Sequence, residues 1–385
     1  MTRVTLVLKT NEGGTWVLPQ LRALRSAGAQ VTAVLPAGDG RLRRALDAEG
    51  MPVVEAPFDF TFGLRPGTVM GLARLRHVIR ATRADVVFYH LYASAIAARL
   101  STLGTGLRRV HMVAGPLYLE SRGIRTVERV LMRLDTRLIA GSEYTASLYR
   151  DLGMPTDRLV AVPYGVDLVK FARPASSRSQ TLALEYGLAR ERHTDGLVAV
   201  MVAYVYAPKS AVFPGIGIKG HDVLLEAWSR IRQDHPDARL LLVGSGFDEA
   251  GEEYRQCLLR RYRIADDPTI EWIEKVDDVR PFYRGADVSV SPSLSENHGA
   301  ALEASAMQVP SIVSNAGALP ETVPPDGGWI VPAGDVAALA DALRKAAAEK
   351  KSGALARRGV LARAHMLSNF NVETCSARVV EQVLG

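Results

Sequence analysis

Two glutamates seven positions apart, Glu296 and Glu303, form the pattern with the clearest chemistry in this sequence. They belong to the stretch 291–310, where small apolar residues around Glu303 are typical of a buried helix. A helix that begins near Gly299 would direct its free N–H groups, at Gly299 and Ala300, toward an anion such as a diphosphate. Glu296 could then accept hydrogen bonds from sugar hydroxyls and Glu303 from a ribose. Because burying a carboxylate without a purpose is costly, we favour a functional role over a merely exposed or helix-capping one.

Glycines follow two apolar runs at positions typical of phosphate-binding turns. Gly13 and Gly14 come after the first run. They would let the backbone approach a phosphate closely, but a turn that requires positive φ explains them equally well. Gly244 opens the turn Gly-Ser-Gly-Phe after a later run, but Glu249 stands where a dinucleotide fingerprint requires Gly or Ala. The sequence therefore predicts a tight turn at Gly244 and gives hydride transfer little support.

The composition narrows the class of protein. A chain of 385 residues favours two domains, because single hydrophobic cores stop growing at about 250–300 residues. With 48% hydrophobic and 23% charged residues, the chain is predicted to be ordered and globular. Cys257 and Cys375 match neither a disulfide framework nor a metal site, which predicts a reducing, cytoplasmic location. We find no secretory signal at the N-terminus and no apolar run of about 18 residues that would predict a membrane span.

Arginine dominates the basic residues, and the formal net charge is +6. A GC-rich genome explains this composition, and a surface that attracts anionic lipid or an anionic acceptor is the alternative. No nucleic-acid motif accompanies the arginines, so we expect no nucleic-acid partner. They bunch in the first half of the chain, at positions that include Arg22, Arg25, Arg41, Arg43, Arg44, Arg65, Arg74, Arg76, Arg80, Arg83, Arg122, Arg125, Arg129 and Arg133.

Strand-like apolar runs alternate with segments of helical periodicity along the whole chain, which predicts an α/β fold with parallel sheets wrapped by helices. In the second half the predicted strands include 279–283 and 288–291. Ligands of open parallel sheets bind beyond the carboxyl ends of the strands, where the residues discussed above lie. The predicted organisation is an N-terminal domain at 1–171, a linker at 172–194, a second domain at 195–360, and a helical segment at 361–385 that packs back toward the first domain.

The segment from Phe282 to Pro332 resembles the signature of retaining GT-B glycosyltransferases, in particular glycosyltransferase family 4. It contains the pair of glutamates and the run Gly317-Ala-Leu-Pro-Glu-Thr-Val323. The turn Val162–Asp167 and the segment Lys219–Trp228 are similar to other parts of the same family. The resemblance covers nearly the whole chain. It implies two Rossmann-like, doubly wound domains that face a central cleft.

The resemblance also implies roles for individual residues. Glu296 and Lys219 become the catalytic residues, and Lys209 replaces the arginine that the family usually has near Tyr204. We expect no metal and no cofactor, because Lys219 and the helix start would stabilise the leaving diphosphate. Asp266-Asp267 and Asp277-Asp278 are predicted to be solvated turns. The predicted donor contacts are Lys209, Gly244, Asn297, His298, Gly299, Ala300, Glu303, Gly13 and Gly14.

The sequence departs from the family pattern on the acceptor side and near the donor sugar. Asn297 and His298 replace the family's usual residues between Glu296 and Gly299, which we expect to alter contacts to the donor sugar. The histidine that ends a first-domain strand in many relatives is absent. The acceptor-side candidates are His90, His111, Tyr118 and Glu120. A lone histidine in a strand is more often a core residue than a catalyst, so both readings of His90 and His111 stay open.

The expected activity is retaining, metal-independent transfer of a hexose from a UDP- or GDP-sugar to a hydroxyl of an acceptor in bacterial cell-surface polysaccharide or glycolipid assembly. The enzyme would be cytoplasmic and would associate peripherally with the inner face of the membrane. One alternative is glycosylation of a small-molecule natural product. Two others are a sugar-nucleotide epimerase, which shares the architecture, and a non-catalytic protein that binds nucleotide sugars.

Overall fold

The computed structural model describes residues 1–57, 60, 62, 66–172, 196–208, 214–295 and 298–385. Nearly all of the predicted linker at 172–194 lies outside these described residues, as do Lys209, Glu296 and Asn297. The described chain divides into two compact units, residues 1–165 with 372–385 and residues 166–371. Residues 166–171, which the sequence assigned to the first domain, are thus grouped with the second unit.

The first unit is built on one parallel sheet. Its strands are β1 (Arg3–Val7), β2 (Gln30–Leu35), β3 (Val53–Glu55), β4 (Val86–His90), β5 (Arg108–Val113), β6 (Arg137–Ala140) and β7 (Leu159–Ala161). They lie in the order β3-β2-β1-β4-β5-β6-β7. The helices are α1 (Leu18–Ser26), α2 (Arg41–Ala48), α3 (Pro66–Ala81), α4 (Tyr92–Ser101), α5 (Arg122–Leu131) and α6 (Glu143–Asp151). Strand β4 is buried at every position, as expected for a central parallel strand covered on both faces.

The second unit repeats this plan. Its strands are β8 (Val198–Val202), β9 (Arg239–Val243), β10 (Ile270–Ile273), β11 (Val288–Ser291), β12 (Ser311–Ser314) and β13 (Gly328–Val331). All are parallel, in the order β10-β9-β8-β11-β12-β13. The helices are α7 (His221–Ile231), α8 (Glu249–Arg261), α9 (Arg280–Gly285), α10 (Gly299–Ala306), α11 (Val336–Ser352) and α12 (Ala354–Asn369). Trp228 of α7 is fully buried in the core of this unit.

The prediction of a strand at 279–283 is wrong, because these residues lead into and form most of α9. The Asp278 carboxylate accepts a hydrogen bond from the backbone N–H of Arg280 at 3.0 Å, which fixes the first turn. Pro281 follows in that turn, where its missing N–H costs nothing, whereas in a sheet interior it would remove a ladder hydrogen bond. The apolar residues of this segment therefore face the core from a helix.

The C-terminal segment comprises two helices. Helix α12 ends at Asn369, and a separate helix, α13 (Val372–Leu384), belongs to the first unit. Cys375, Val379 and Val383 of α13 are buried in the core that α1 also lines. Both cysteines of the chain are free thiols. Among the helices in the described ranges, none is long and apolar enough to cross a membrane.

Candidate functional site

The strand order of the second sheet reverses between β8 and β11, and a crevice is expected there. The chain continues from β8 to α7 and from β11 to α10. Because the two strands are neighbours and parallel, the starts of both helices lie at the same edge of the sheet. Lys219 lies just before α7, and Gly299 is the first residue of α10. The topology therefore places two of the predicted anion-binding elements at the same edge of the sheet.

Direct contacts join the loop that carries Lys219 to the loop after β11. The backbone N–H of Leu294 donates to the carbonyl of Ile218 at 2.8 Å. Gly220 has φ +76°, and a Cβ built on it would lie 2.2 Å from the carbonyl oxygen of Pro292. Only glycine fits this close approach and this left-handed backbone conformation. Lys219 is consequently held beside the chain that leads to α10.

The first backbone N–H groups of α10 have no acceptor within the helix itself. Gly299 has φ +47°, and the preceding His298 makes no side-chain capping hydrogen bond to the helix. The first N–H groups of such a helix carry partial positive charge and suit an anion. The His298 ring is itself buried and packs edge-on against Phe370, with ring centroids 5.3 Å apart. His298 thus has a packing role in the structure, and its predicted contact with a donor sugar stays a prediction.

Glu303 lies one turn into α10 and is partly buried. The hydroxyl of the fully buried Tyr283 donates toward Glu303 Oε2 at 3.3 Å and toward the Ala300 carbonyl at 3.3 Å. Burial raises the pKa of Glu303 to about 7, an effect that the Tyr283 hydrogen bond and the charge of Lys170 oppose. Near neutral pH the carboxyl group therefore exists in both protonation states and can change state when a ligand binds.

One member of each aspartate pair has a structural role, which corrects the prediction of a solvated turn at Asp267 and adds an ion pair at Asp278, whereas Asp266 and Asp277 are exposed as predicted. Asp267 is buried, accepts hydrogen bonds from the backbone and side chain of Thr269, and forms an ion pair with Arg232. Asp278 binds the guanidinium of Arg280, which holds the pKa of that carboxyl below its usual range. Within the described part of the chain, no group of three or more His, Cys, Asp or Glu side chains is arranged to hold a metal ion.

The turn after β9 is tight, as the sequence predicts, and it supports aromatic side chains that sequence reasoning missed. Gly244 has φ +141°, and a Cβ there would lie 2.2 Å from the Ala203 carbonyl oxygen. Tyr204, Tyr206 and Phe247 form what we call the aromatic cluster. The Tyr206 and Phe247 rings stack with centroids 4.7 Å apart, and Tyr204 meets Phe247 edge-on at 5.8 Å. The alternation of Tyr204 and Tyr206 after β8 was the available signal.

The first sheet has its own reversal, between β1 and β4, and three predicted residues lie there. Gly13 and Gly14 belong to the loop after β1. The backbone N–H of Lys9 in this loop donates to Ser94 Oγ of α4 at 3.0 Å, which joins the loop to the helix after β4. Gly14 has φ +89° and precedes a short turn of helix. His90 ends β4. The strand-end rule therefore correctly brings these residues to one edge of the sheet.

His90 is fully buried beside two aromatic residues that the sequence analysis did not select, Trp16 and Tyr164. Its Nδ1 lies 2.9 Å from the Tyr164 hydroxyl, and its ring centroid is 5.2 Å from that of Trp16. Burial lowers the pKa of His90 to about 3, so the imidazole is neutral. Its Nε2 has no hydrogen-bond partner among the described residues. Tyr164 lies in the turn Val162–Asp167, which the sequence analysis used only for the family resemblance.

His111 and Tyr118 belong instead to a buried ionic cluster. Arg99, which is 0% exposed, forms ion pairs with Glu128 at 2.7 Å and with Asp135 at 2.6 Å, and its Nη2 lies 3.1 Å from His111 Nδ1. Tyr118 reaches the same cluster through the Tyr149 hydroxyl, at 2.6 Å. Burial and the nearby Arg99 charge hold the pKa of His111 well below its usual value. Glu120, another predicted acceptor-side residue, lies outside this cluster and is exposed at the end of a short helix.

The outer face of α5 is basic and partly apolar. Arg122, Arg125 and Arg129 are exposed on this helix, and Arg133 is exposed just after it. None of these four arginines forms an ion pair with a described residue, in contrast to most arginines of α1 and α2. Val127 and Val130 of the same helix are 46% and 61% exposed. The inner face of α5 contributes Glu128 to the buried ionic cluster, which fixes the rotation of the helix.

Two family profiles match the chain, one on each unit. Residues 13–170 match the family described as Glycosyltransferase Family 4, and residues 210–349 match the family described as Glycosyl transferases group 1. The D-inositol 3-phosphate glycosyltransferase 2 of Catenulispora acidiphila is 34% identical over 55% of this chain and 49% of its own length. The D-inositol 3-phosphate glycosyltransferase of Xylanimonas cellulosilytica is 29% identical over 85% of this chain and 81% of its own.

Among solved structures, Anabaena HepE in complex with UDP and glucose superimposes with a TM-score of 0.81 at 17% identity, over 100% of both chains. At this identity the likeness establishes the fold, which is GT-B with two Rossmann-like units. The chain spans about half the length of the first curated relatives that it matches, at 49% and 47%.

Proposed function

Because the chain belongs to the group 1 and family 4 glycosyltransferases, we propose that it transfers a sugar from a nucleotide diphosphate sugar to an acceptor hydroxyl. The observation that carries the proposal is the reversal of strand order between β8 and β11, where the loop that carries Lys219 contacts the loop that leads to the start of α10. A cation and a helix N-terminus at one edge of a sheet suit a diphosphate. HepE, which shares the fold, binds UDP, and this supports a UDP-sugar as one of the two expected donors.

The proposed chemistry follows from the charge that develops on the leaving diphosphate. As the bond from the sugar to the diphosphate breaks, Lys219 and the N–H groups at Gly299 and Ala300 stabilise the growing negative charge. We propose retention of configuration by front-face attack, in which a departing phosphate oxygen takes the proton of the acceptor hydroxyl. Glu303 holds the donor ribose, and no metal is required for these roles. Glu296, which the resemblance assigns to catalysis, lies outside the described residues.

We propose that the acceptor is held at an anionic membrane surface. Support comes from residues 122–133, where four exposed arginines have no acidic partner among the described residues and two valines of the same helix are exposed. Each arginine near an anionic lipid surface contributes about 1 kcal/mol to binding. A small anionic acceptor is the second candidate, because two of the relatives named above are D-inositol 3-phosphate glycosyltransferases.

Calorimetric titration with UDP, GDP, ADP and CMP tests the donor proposal. We expect one diphosphate to bind and the Lys219→Ala variant to bind it at least tenfold more weakly. Lys345→Ala, an exposed lysine of α11 in the same unit, is the matched control and should leave binding unchanged. The matching sugar nucleotide should then be consumed with an acceptor, and the product anomer read by NMR. Binding of none of the four nucleotides by the wild type would refute the proposal.

Sedimentation with vesicles separates the two acceptor proposals. We expect binding to phosphatidylglycerol vesicles and none to phosphatidylcholine vesicles, with loss of binding in the double variant Arg125→Glu, Arg129→Glu. The control, Lys345→Glu with Lys351→Glu, makes the same change in net charge on the exposed surface of the second unit. Equal vesicle binding by both double variants, or none by the wild type, would contradict the membrane proposal and favour the small anionic acceptor.

A further inference from the structure

The aromatic cluster is exposed to solvent at the carboxyl ends of β8 and β9. Phe247 is 59% exposed, although its ring already contacts both Tyr204 and Tyr206. Val205, between the two tyrosines, is fully buried, so the alternation along the chain turns Tyr204 and Tyr206 to the same side. The three rings together form one aromatic surface that the described residues leave partly open.

The backbone beneath this surface is rigid. Val205 N donates to the Ser245 carbonyl at 3.0 Å, and Phe247 N donates to the Val205 carbonyl at 2.9 Å, which extends the pairing of β8 with β9. Glu252 accepts a hydrogen bond from Gly246 N at 2.9 Å, and a Cβ on Gly246 would lie 2.1 Å from Glu252 N. An exposed phenylalanine on a fixed turn loses little conformational entropy when a ligand covers it.

The cluster adjoins the loop that carries Lys219. A Cβ built on Gly217 would lie 3.2 Å from the Tyr206 carbonyl oxygen, which brings the two loops into contact. Gly220 N then donates to the Gly217 carbonyl at 2.8 Å, and Lys219 lies within this turn. The same stretch of surface therefore carries the aromatic cluster and, next to it, Lys219, whose loop contacts the chain that leads to α10.

We propose that the aromatic cluster stacks on the nucleobase of the donor, with Phe247 and Tyr206 as the main contacts. The inference rests on the proposed function and extends it. A nucleoside diphosphate is an anion joined to a flat aromatic ring, and this surface offers a partner for each part. Stacking recognises the π-face that every base has, so the cluster contributes affinity more than choice of base.

The test compares ligands that contain or lack the base. UDP and inorganic pyrophosphate are titrated by calorimetry into the wild type, Phe247→Ala, Tyr206→Ala and Lys219→Ala, with GDP or ADP in place of UDP if it proves the better ligand. Removal of one stacking side chain should weaken nucleotide binding by about 5- to 100-fold and leave pyrophosphate binding within twofold. Lys219→Ala should weaken both ligands. Phe247→Tyr keeps an aromatic ring and should retain wild-type affinity.

Tyr144→Ala, an exposed tyrosine of α6 in the first unit, is the matched control and should bind as the wild type does. Unchanged nucleotide affinity in Phe247→Ala and Tyr206→Ala would overturn the inference while leaving the proposed function intact. Equal loss of pyrophosphate binding, or failure of Phe247→Tyr to restore affinity, would also overturn it. A loss seen with the nucleotide sugar and absent with the nucleotide would assign the surface to the sugar and refute a contact with the base.

Discussion

Glu303 should make the second unit less stable as the pH rises. Its pKa of about 7 in the folded protein stands above the ordinary value of 4.5. A group with a raised folded pKa stabilises the protein fully below the unfolded pKa, and that stability is lost as pH rises through the folded pKa. The difference of about 2.5 pH units corresponds to about 3 kcal/mol between pH 4 and pH 8, a ceiling because the side chain is only partly buried.

The perturbation is Glu303→Gln, which keeps the shape and removes the charge. Relative to this variant, the wild type should become less stable between pH 5 and pH 8, by up to about 3 kcal/mol. Urea unfolding followed by tryptophan fluorescence measures the difference. Of the four tryptophans, Trp228, Trp272 and Trp329 lie in the second unit and report on it. Glu253→Gln, an exposed glutamate of α8, is the control and should follow the wild type at every pH.

Ligand binding gives the same carboxyl group a second readout. If ribose hydroxyls donate to the carboxylate, a nucleoside diphosphate lowers the pKa of Glu303 and releases part of a proton near pH 7. Calorimetry in buffers of different ionisation enthalpy should detect this release in the wild type and not in Glu303→Gln. Parallel stability profiles of wild type and variant from pH 5 to pH 8 would refute the reasoning about burial.

Three further predictions concern other parts of the molecule. Arg99→Met should lower the free energy of unfolding by about 3–5 kcal/mol in urea titrations followed by circular dichroism, because it leaves two buried carboxylates unpaired, whereas Arg133→Met should have little effect. Gly220→Ala should abolish UDP binding in calorimetry because the methyl group meets the backbone at 2.2 Å, whereas Gly153→Ala, with φ +88° and open space, should bind normally. The ring resonances of His90 should stay constant from pH 5 to pH 8 in NMR titrations, since a group with a pKa of about 3 does not titrate there.

Strands and helices were predictable where the pattern of apolar residues along the chain allows only one kind of element. Central strands such as β4 are short, continuous apolar runs, which in an α/β protein are typical of a parallel strand covered on both faces. The segment 279–283 was missed because its apolar residues allow either structure, and the choice was made by Asp278 and Pro281 at the helix start. Capping chemistry of this kind occupies two or three residues and is outweighed by a longer apolar pattern.

Candidate site residues were predictable when they lie at strand ends and unpredictable when distant partners define them. Lys219 and Gly299 follow neighbouring strands, so topology alone brings their loops to one edge. His111 reads as an isolated histidine in the sequence, but its surroundings are set by Arg99, whose partner Asp135 is 36 positions away. The neighbours of His90 come from residues as distant as Trp16 and Tyr164. Packing in three dimensions decides which of several polar residues meet.

The placement of α13 in the first unit bears on how the chain folds during synthesis. The chain leaves the first unit at residue 165 and returns at 372, so the ribosome makes the whole second unit before the helix that completes the first core. Until then the apolar surface that receives Cys375, Val379 and Val383 is exposed to water. A permuted gene that encodes 372–385 ahead of residue 1 would supply this helix early. Such a chain should need less chaperone assistance, because domains fold as units while they emerge.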